Sequence, residues 1–367
     1  MQEKTSVIVV TDMYHPAQDP GDNFDILTAY SLPEIDLLAV ILDVTEKFRS
    51  PYANDNNPMF RDMRGLGRDP GIVPMSQLNY IYNRKIPFAP GPFVPMKGPD
   101  DKMENTPAYG QGGICLMLET LRRAAGQVEV LSFGSARTIA AAYNREPDLM
   151  LEKVRRVHLS AGSSDPGFLE WNVLLDPNAI RCLLDSRLPV ALYPCATGDG
   201  PFAYGRHNSF WLLPNLSFVR DMQPRLRRYL TFAFLHESRM DFLRAVEEEA
   251  TSEQLAELDG ISHNVWETAI WAEVSGRALV RRADGSYRLL PRTLCEQGDT
   301  VLPGELVPCT AIVYDNGAYE VKLNGKARGS LPQRWLYERG DPHENEAALR
   351  EALPALYRSF DICSLKE

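Results

Sequence analysis

Residues Ser6 to Leu42 confine this chain to a small set of folds. A β-branched run from Val7 to Val10 ends at Thr11-Asp12. Asn23 to Ser31 reads as a helix closed by Leu32-Pro33, and Leu37 to Leu42 is a second apolar run. Strand, helix and strand within about forty residues make a βαβ unit, and its crossover sets the two strands parallel. The alternation resumes downstream. Helices are predicted at Gly113 to Ala125, Ala136 to Asn144 and Pro177 to Ser186, the last capped by Asp176. Strands are predicted at Val128 to Phe133, Val154 to Ser160 and Pro189 to Tyr193. The expected fold class is α/β, with a doubly wound, mostly parallel central sheet.

Two regions depart from that rhythm. Residues 47 to 110 are rich in Pro, Gly and Asn and read as a long insertion, with helical character at Gln77 to Arg84 and a short strand at Ile86 to Ala89. Thr310 to Tyr314, then Asp315-Asn316-Gly317, then Tyr319 to Leu323 signal a hairpin, and Asn-Gly suits a type I′ turn. With Val280 to Leu290 this predicts a small β-rich appendage over about 277–340, within a single domain spanning 1–367. Arg225 to Glu249 reads as helical throughout, as one helix or two.

A net charge of −10 and the lack of a basic run argue against a nucleic-acid partner. No apolar run reaches membrane-spanning length and the first residues do not read as a leader, so the expected location is cytoplasmic and a membrane partner is not expected. The six cysteines are scattered with no CxxC pair, a pattern of free thiols rather than of a disulfide frame or zinc site.

Chemistry concentrates in two places. Asp12, Asp19, Asp22 and Asp25 crowd the end of the first strand and the start of the first helix. Acid at the carboxyl edge of a parallel sheet is costly unless something positive sits there, and a hard cation with oxygen ligands answers that need. Helix capping is the competing explanation. The second place is Glu170-Trp171-Asn172, followed by Asp176-Pro177. In an extended segment Glu170 and Asn172 face one side, where a carboxylate and an amide suit a polyol such as a sugar. The alternative is that both satisfy loop backbone.

Four segments in order resemble the calcium-dependent inosine–uridine nucleoside hydrolases. They are Pro33 to Val40, Leu131 to Ala140, Glu170-Trp171-Asn172 with Asp176-Pro177, and His263-Asn264 ahead of a helix. The resemblance covers roughly 6–46 and 110–275. It implies one Ca²⁺ held by Asp12 and Asp22 with the Phe133 carbonyl and Asn264, and Asp12 as general base with Asp19 as rival for base and ligand. It implies Glu170, Trp171, Asn172 and Glu46 around a ribose, and His263 as proton donor to the leaving base. Small-molecule ribosyl substrates are implied, and a homo-oligomer is an expectation from the family's common dimers and tetramers.

This chain also departs from the family pattern. The first loop is lengthened by Met13 to Gln18. Counting from the helix side places Gly21 where the family has the first of two adjacent acids and Asp22 where it has the second, whereas counting from Asp19-Pro20-Gly21 places Asn23 and Phe24 there. Asn264 stands for an acidic ligand and Glu46 for an asparagine. The glycine-rich loop before Glu170 is shorter, so one ribose-binding asparagine has no clear match. Three function classes compete: an N-ribosyl hydrolase, a catalytically silent ribose- or nucleoside-binding scaffold, and a phosphatase-like hydrolase with a strand-end aspartate nucleophile. The third needs a second acid two residues after Asp12, where the chain has Tyr14. Two further groups are candidates for lining the pocket or for packing alone: His207-Asn208 with Phe210 and Trp211, and Trp266 with Trp271.

Overall fold

The computed structural model describes residues 4–49, 68–323 and 333–362. In chain order the first half contains β1 (Thr5–Thr11), α1 (Asp22–Ser31), β2 (Ile35–Leu42), α2 (Ile72–Ile81), β3 (Phe88–Pro90), α3 (Ala108–Arg123), β4 (Val128–Phe133), α4 (Arg137–Arg145), α5 (Pro147–Lys153), β5 (Val154–Ser160), α6 (Trp171–Leu175), α7 (Pro177–Asp185) and β6 (Val190–Tyr193). The second half contains β7 (Trp211–Leu213), α8 (Pro224–Phe234), α9 (Phe242–Ala245), α10 (Ser252–Asp259), β8 (His263–Val265), α11 (Thr268–Ser275), β9 (Arg277–Arg281), β10 (Tyr287–Pro291), β11 (Thr300–Val301), β12 (Glu305–Val313), β13 (Tyr319–Leu323), β14 (Arg334–Glu338) and α12 (Pro342–Arg358).

Nine strands form the central sheet in the order β13-β12-β14-β6-β5-β4-β1-β2-β3. Every pairing from β14 through β3 is parallel. The chain runs outward from β1 through β2 to β3, then returns to lay β4 on the other side of β1. The order therefore reverses between β1 and β4, and crevices of open α/β sheets form at such a switch point, beyond the carboxyl ends of the strands.

The alternation along β1 explains why both faces are covered. Val7 and Val9 join one core and Ile8 and Val10 the other, all four with no exposure. Burying each contributes about 1.5–3 kcal/mol. The first core takes in residues of α1, α2, α8, α11 and α12, and the second takes in residues of α3, α4 and α7, so the domain has three layers. Among the described residues no helix is long and apolar enough to cross a membrane.

Three elements differ from expectation in instructive ways. The segment read as helical from Arg225 to Glu249 breaks after α8. His236 takes a positive φ of 51°, and Glu237 N–H donates back to the Phe232 carbonyl, which is a Schellman-type stop with histidine in the place usually held by glycine. The Asn316-Gly317 turn is a three-residue loop closed by Tyr314 N–H on the Ala318 carbonyl, with only Gly317 at positive φ (81°). That is the turn-plus-bulge geometry rather than type I′. The C-terminal β-rich region divides: β9, β10 and β11 form a separate small sheet, while β12 and β13 extend the central sheet through β14. In the insertion, the helix lies at Ile72–Ile81 and the strand at Phe88–Pro90, and residues 50–67 lie outside the described residues.

Arg137, the first residue of α4, ties the loops at the sheet's carboxyl edge together. Its guanidinium pairs with Asp176 at 2.8 Å, both side chains being wholly buried. It also donates to the carbonyls of Val44, Pro92 and Leu175 and to Thr45 Oγ1. Removing one partner of a buried pair strands the other charge, which costs about 3–5 kcal/mol. Arg137→Ala is expected to lose about that much stability in urea or guanidinium titration. A loss under 1 kcal/mol would show that these loops do not depend on it.

Candidate functional site

A cavity of about 300 Å³ opens at the carboxyl edge of the sheet, lined by Asp12, Gln18, Asp19, Asp22, Phe133, Glu170, Trp171, Asn172, Cys195, Pro201, Phe202, Trp266 and Glu267. Each arrives for a reason in the local chain. Asp12 follows β1 and Phe133 ends β4, the two strands that flank the switch point. Asp22 opens α1, where carboxylates favour the helix N-terminus. The lengthened loop between them is pinned. Tyr14 hydroxyl donates to the Thr45 carbonyl and accepts from Thr45 N–H, and His15 exchanges both backbone hydrogen bonds with Asp69. That anchoring delivers Gln18 and Asp19 to the cavity.

Glu170 and Asn172 line the cavity, but by a route other than an extended strand. Glu170 caps α6, and its two oxygens accept Gly162 N–H at 2.7 Å and Asn172 N–H at 3.0 Å. Asn172 donates its side-chain amide to the Ser160 carbonyl at 2.8 Å. Both therefore serve loop backbone and face the cavity at once. Trp171 rests on Phe48, with ring centroids 4.9 Å apart. The hairpin reaches this loop from below, through Tyr319 hydroxyl on the Ala161 carbonyl at 2.6 Å.

The late segment corrects the sequence reading. His263 and Asn264 lie in β8, paired with β7, and neither lines the cavity. The pair standing directly before helix α11 is Trp266-Glu267, three residues later, and both of these residues do. Trp266 Nε1 donates to the Cys195 carbonyl at 2.8 Å, and Glu267 accepts from Ser160 Oγ at 3.4 Å. An acid, Glu267, thus stands at the cavity edge three residues after Asn264. His263 instead packs against Phe24, Phe234 and Gly21, and burial pushes its pKa down. Glu46 is also out of place for ribose: it is exposed and pairs with Arg49 at 2.9 Å. Trp271 anchors rather than lines, donating to Asp25 at 2.7 Å. His207, Asn208, Phe210 and Trp211 stay behind the wall; from their loop Pro201 and Phe202 reach the cavity.

Among the described residues the site is a set of acids without a local cation. Burial raises the pKa of Asp12 well above the carboxylate range, with Asp19, Asp43 and Glu267 adding repulsion. Burial likewise raises Asp22, with Asp12, Asp19, Asp25 and Glu267 contributing. Burial and the Asp19 charge push Glu267 up to about 7. Asp12, Asp19, Asp22 and Glu267 therefore feel one another, and oxygen donors of this kind suit a hard divalent ion. The Phe133 carbonyl belongs to the same neighbourhood. As the side chains stand, no three His, Cys, Asp or Glu among the described residues converge tightly enough to clasp an ion.

Sequence reasoning missed Gln18, Cys195 and Glu267. Glu267 was findable: an acid immediately before an apolar helix start is a better match to a strand-edge ligand than an amide three residues earlier. Gln18 and Cys195 carried no signal in spacing.

No protein-family model matches the chain, and no curated protein matches it. Solved structures of similar fold do. A plant nucleoside hydrolase, PpNRh1, superposes with a TM-score of 0.54 at 15% identity, over 96% of this chain and 99% of that one. A purine-preferring ribonucleoside hydrolase from Gardnerella vaginalis gives 0.56 at 13%, over 96% and 99%. The effector protein XOO4466 gives 0.55 at 13%, over 98% and 94%. The chain has the nucleoside hydrolase fold.

Two predictions follow from the geometry. A Cβ at Gly21 would lie 2.3 Å from His263 Nε2. Gly21→Ala is expected to cost about 1–3 kcal/mol, and adding His263→Ala should recover most of it in chemical denaturation; no recovery would mean that the contact is not the cause. The second concerns Glu170, which burial pushes up to about 7 against the pull of its backbone donors. A raised carboxylate pKa means that the folded state holds the proton more tightly. The stabilisation is full below the unfolded value near 4.5 and is lost as pH rises to about 7. Wild-type stability should fall across that window by up to about 3 kcal/mol from this group. Glu170→Gln, though less stable at pH 5 for want of one acceptor, should show a correspondingly flatter profile.

Proposed function

We propose that the chain hydrolyses the N-glycosidic bond of ribonucleosides or related ribosyl compounds, as a divergent, calcium-dependent nucleoside hydrolase. The observation that carries this reading is the meeting of Asp12, Asp19, Asp22 and Glu267 with Glu170, Trp171 and Asn172 in one cavity at the switch point of a nucleoside hydrolase fold. Asp12, Asp19, Asp22 and Glu267, with the Phe133 carbonyl, would hold Ca²⁺, which when bound orients water and sugar hydroxyls and offsets the acids' repulsion.

The chain's own residues do the rest. Asp12 takes the proton of the attacking water as the bond to the anomeric carbon forms. Charge of oxocarbenium character develops on the sugar and is met by the surrounding carboxylates. Asn172 has committed one of its two amide hydrogens to the Ser160 carbonyl, so its amide oxygen and the second N–H are what it offers a sugar hydroxyl. Trp171 provides a flat wall. His263 is given no part in proton transfer, because it does not line the cavity.

The second reading is a silent binding scaffold. It draws on the open spacing of the acids and on Glu170, whose oxygens already accept two backbone donors.

Free ribose released from a panel of nucleosides and p-nitrophenyl riboside, with calcium supplied, tests the first reading. Asp12→Asn and Asp22→Ala should each lower the rate at least about 10²-fold. Calcium at a hundredfold excess over its Kd should stabilise the wild type by about 2.7 kcal/mol, and Asp22→Ala far less. Release undiminished in both variants would sink the mechanism. Calcium binding without release from any riboside would favour the scaffold.

A further inference from the structure

The cavity is charged and walled in a way that says what kind of ring leaves it. Among the described residues its lining contains five carboxylates, Asp12, Asp19, Asp22, Glu170 and Glu267, and no Lys, Arg or His. A single divalent ion would bring two positive charges to these five acids. Trp171 opens α6, Phe202 and Trp266 come from two loops, and Phe202 and Trp266 stand with centroids 6.2 Å apart. Aromatic faces beside unbalanced acid attract a flat cation. A further independent feature lies in the same lining. Gln18 is 9% exposed, and its Oε1 is buried without a hydrogen-bond partner. An orphaned buried acceptor costs about 1–3 kcal/mol and calls for a donor from whatever fills the space.

The leaving-group chemistry points the same way. When the C1′–N bond of a neutral nucleoside breaks, its electron pair makes the base an anion unless a proton arrives. Of the pair before α11, Trp266 has spent its one polar side-chain hydrogen on the Cys195 carbonyl, and Glu267 belongs with Asp12, Asp19 and Asp22 to the acids assigned to the cation. Glu170 has both oxygens turned to backbone N–H groups. A ring that begins as a cation has no need of a donor. The electron pair cancels its charge and it departs neutral, while water forms the new C1′–O bond and gives its proton to a carboxylate.

Resting on the hydrolase reading above, we infer that the preferred substrates are N-ribosylpyridinium compounds, ribosides whose departing ring carries a fixed positive charge and an N–H donor, such as a carboxamide, for Gln18.

The test compares nicotinamide riboside with inosine and uridine by ribose release, using the full chain with calcium. The pyridinium riboside should have a kcat/KM about tenfold higher or more. Gln18→Leu should collapse the preference for a carboxamide-bearing ring over bare N-ribosylpyridinium. Trp266→His should narrow the gap by speeding neutral nucleosides. A separate measurement needs no turnover: N-methylnicotinamide should quench tryptophan fluorescence at about tenfold lower concentration than neutral nicotinamide. Neutral nucleosides cleaved as fast as the pyridinium would overturn this inference and leave the hydrolase reading standing. If no riboside is cleaved, the hydrolase reading falls. Fluorescence then decides: tighter binding of the quaternary ring upholds the recognition, and equal binding overturns it.

Discussion

The Arg137 guanidinium is the constraint on which the site's geometry rests. A charge with no exposure is tolerated only if its donors are used, and this one spends them on Asp176 and on carbonyls from three separate segments. Two of these follow β2 and β3 and the third is the end of α6, so one side chain sets the relative position of the walls around the cavity. Asp176 is equally committed. It also accepts Met96 N–H and caps α7 through Ala179 N–H. The interaction contributes less as raw stability than as a fixed meeting point for segments that have little regular structure of their own.

Against that rigid frame the acids are the unbalanced element. Burial and mutual repulsion raise Asp12 and Asp22 together, and no Arg or Lys among the described residues lines the cavity beside them. Proteins carry such destabilising arrangements where binding or catalysis repays them. The orphaned Gln18 oxygen belongs to the same account: it is delivered by a loop held at Tyr14 and His15, so its lack of a partner is not slack in the chain.

Much of the fold was legible because continuous β-branched runs such as Val7 to Val10 and the capped helix at Asp176 express local physics directly. β4 and β5 fall on the residues expected. What was not legible depended on long-range packing. Nothing local reports that Glu170 would cap a helix rather than extend a strand, or that His236 would accept a left-handed conformation to end α8. Pairing of β14 with β6, which carries the hairpin into the central sheet, is equally beyond a single sequence. At the site, Asp12, Asp22, Glu170 and Asn172 were visible as clustered polar residues beside apolar strands. Glu46 and Asn264 were placed by counting along a remote resemblance, and counting fails where loops change length.

The displacement of His263 by three residues is more than a matter of register. In β8 the ring occupies the space beside Gly21, and that contact explains why position 21 cannot carry the acid that the family pattern leads one to expect: even a methyl group would meet the imidazole at 2.3 Å. The two features share one volume. The His263 ring fills the space that a side chain at position 21 would need, while Trp266 and Glu267 stand at the edge of the cavity. Under the proposed hydrolase reading, a site of this kind keeps carboxylates to take a proton from water and to meet a sugar cation, and leaves departure to the ring itself.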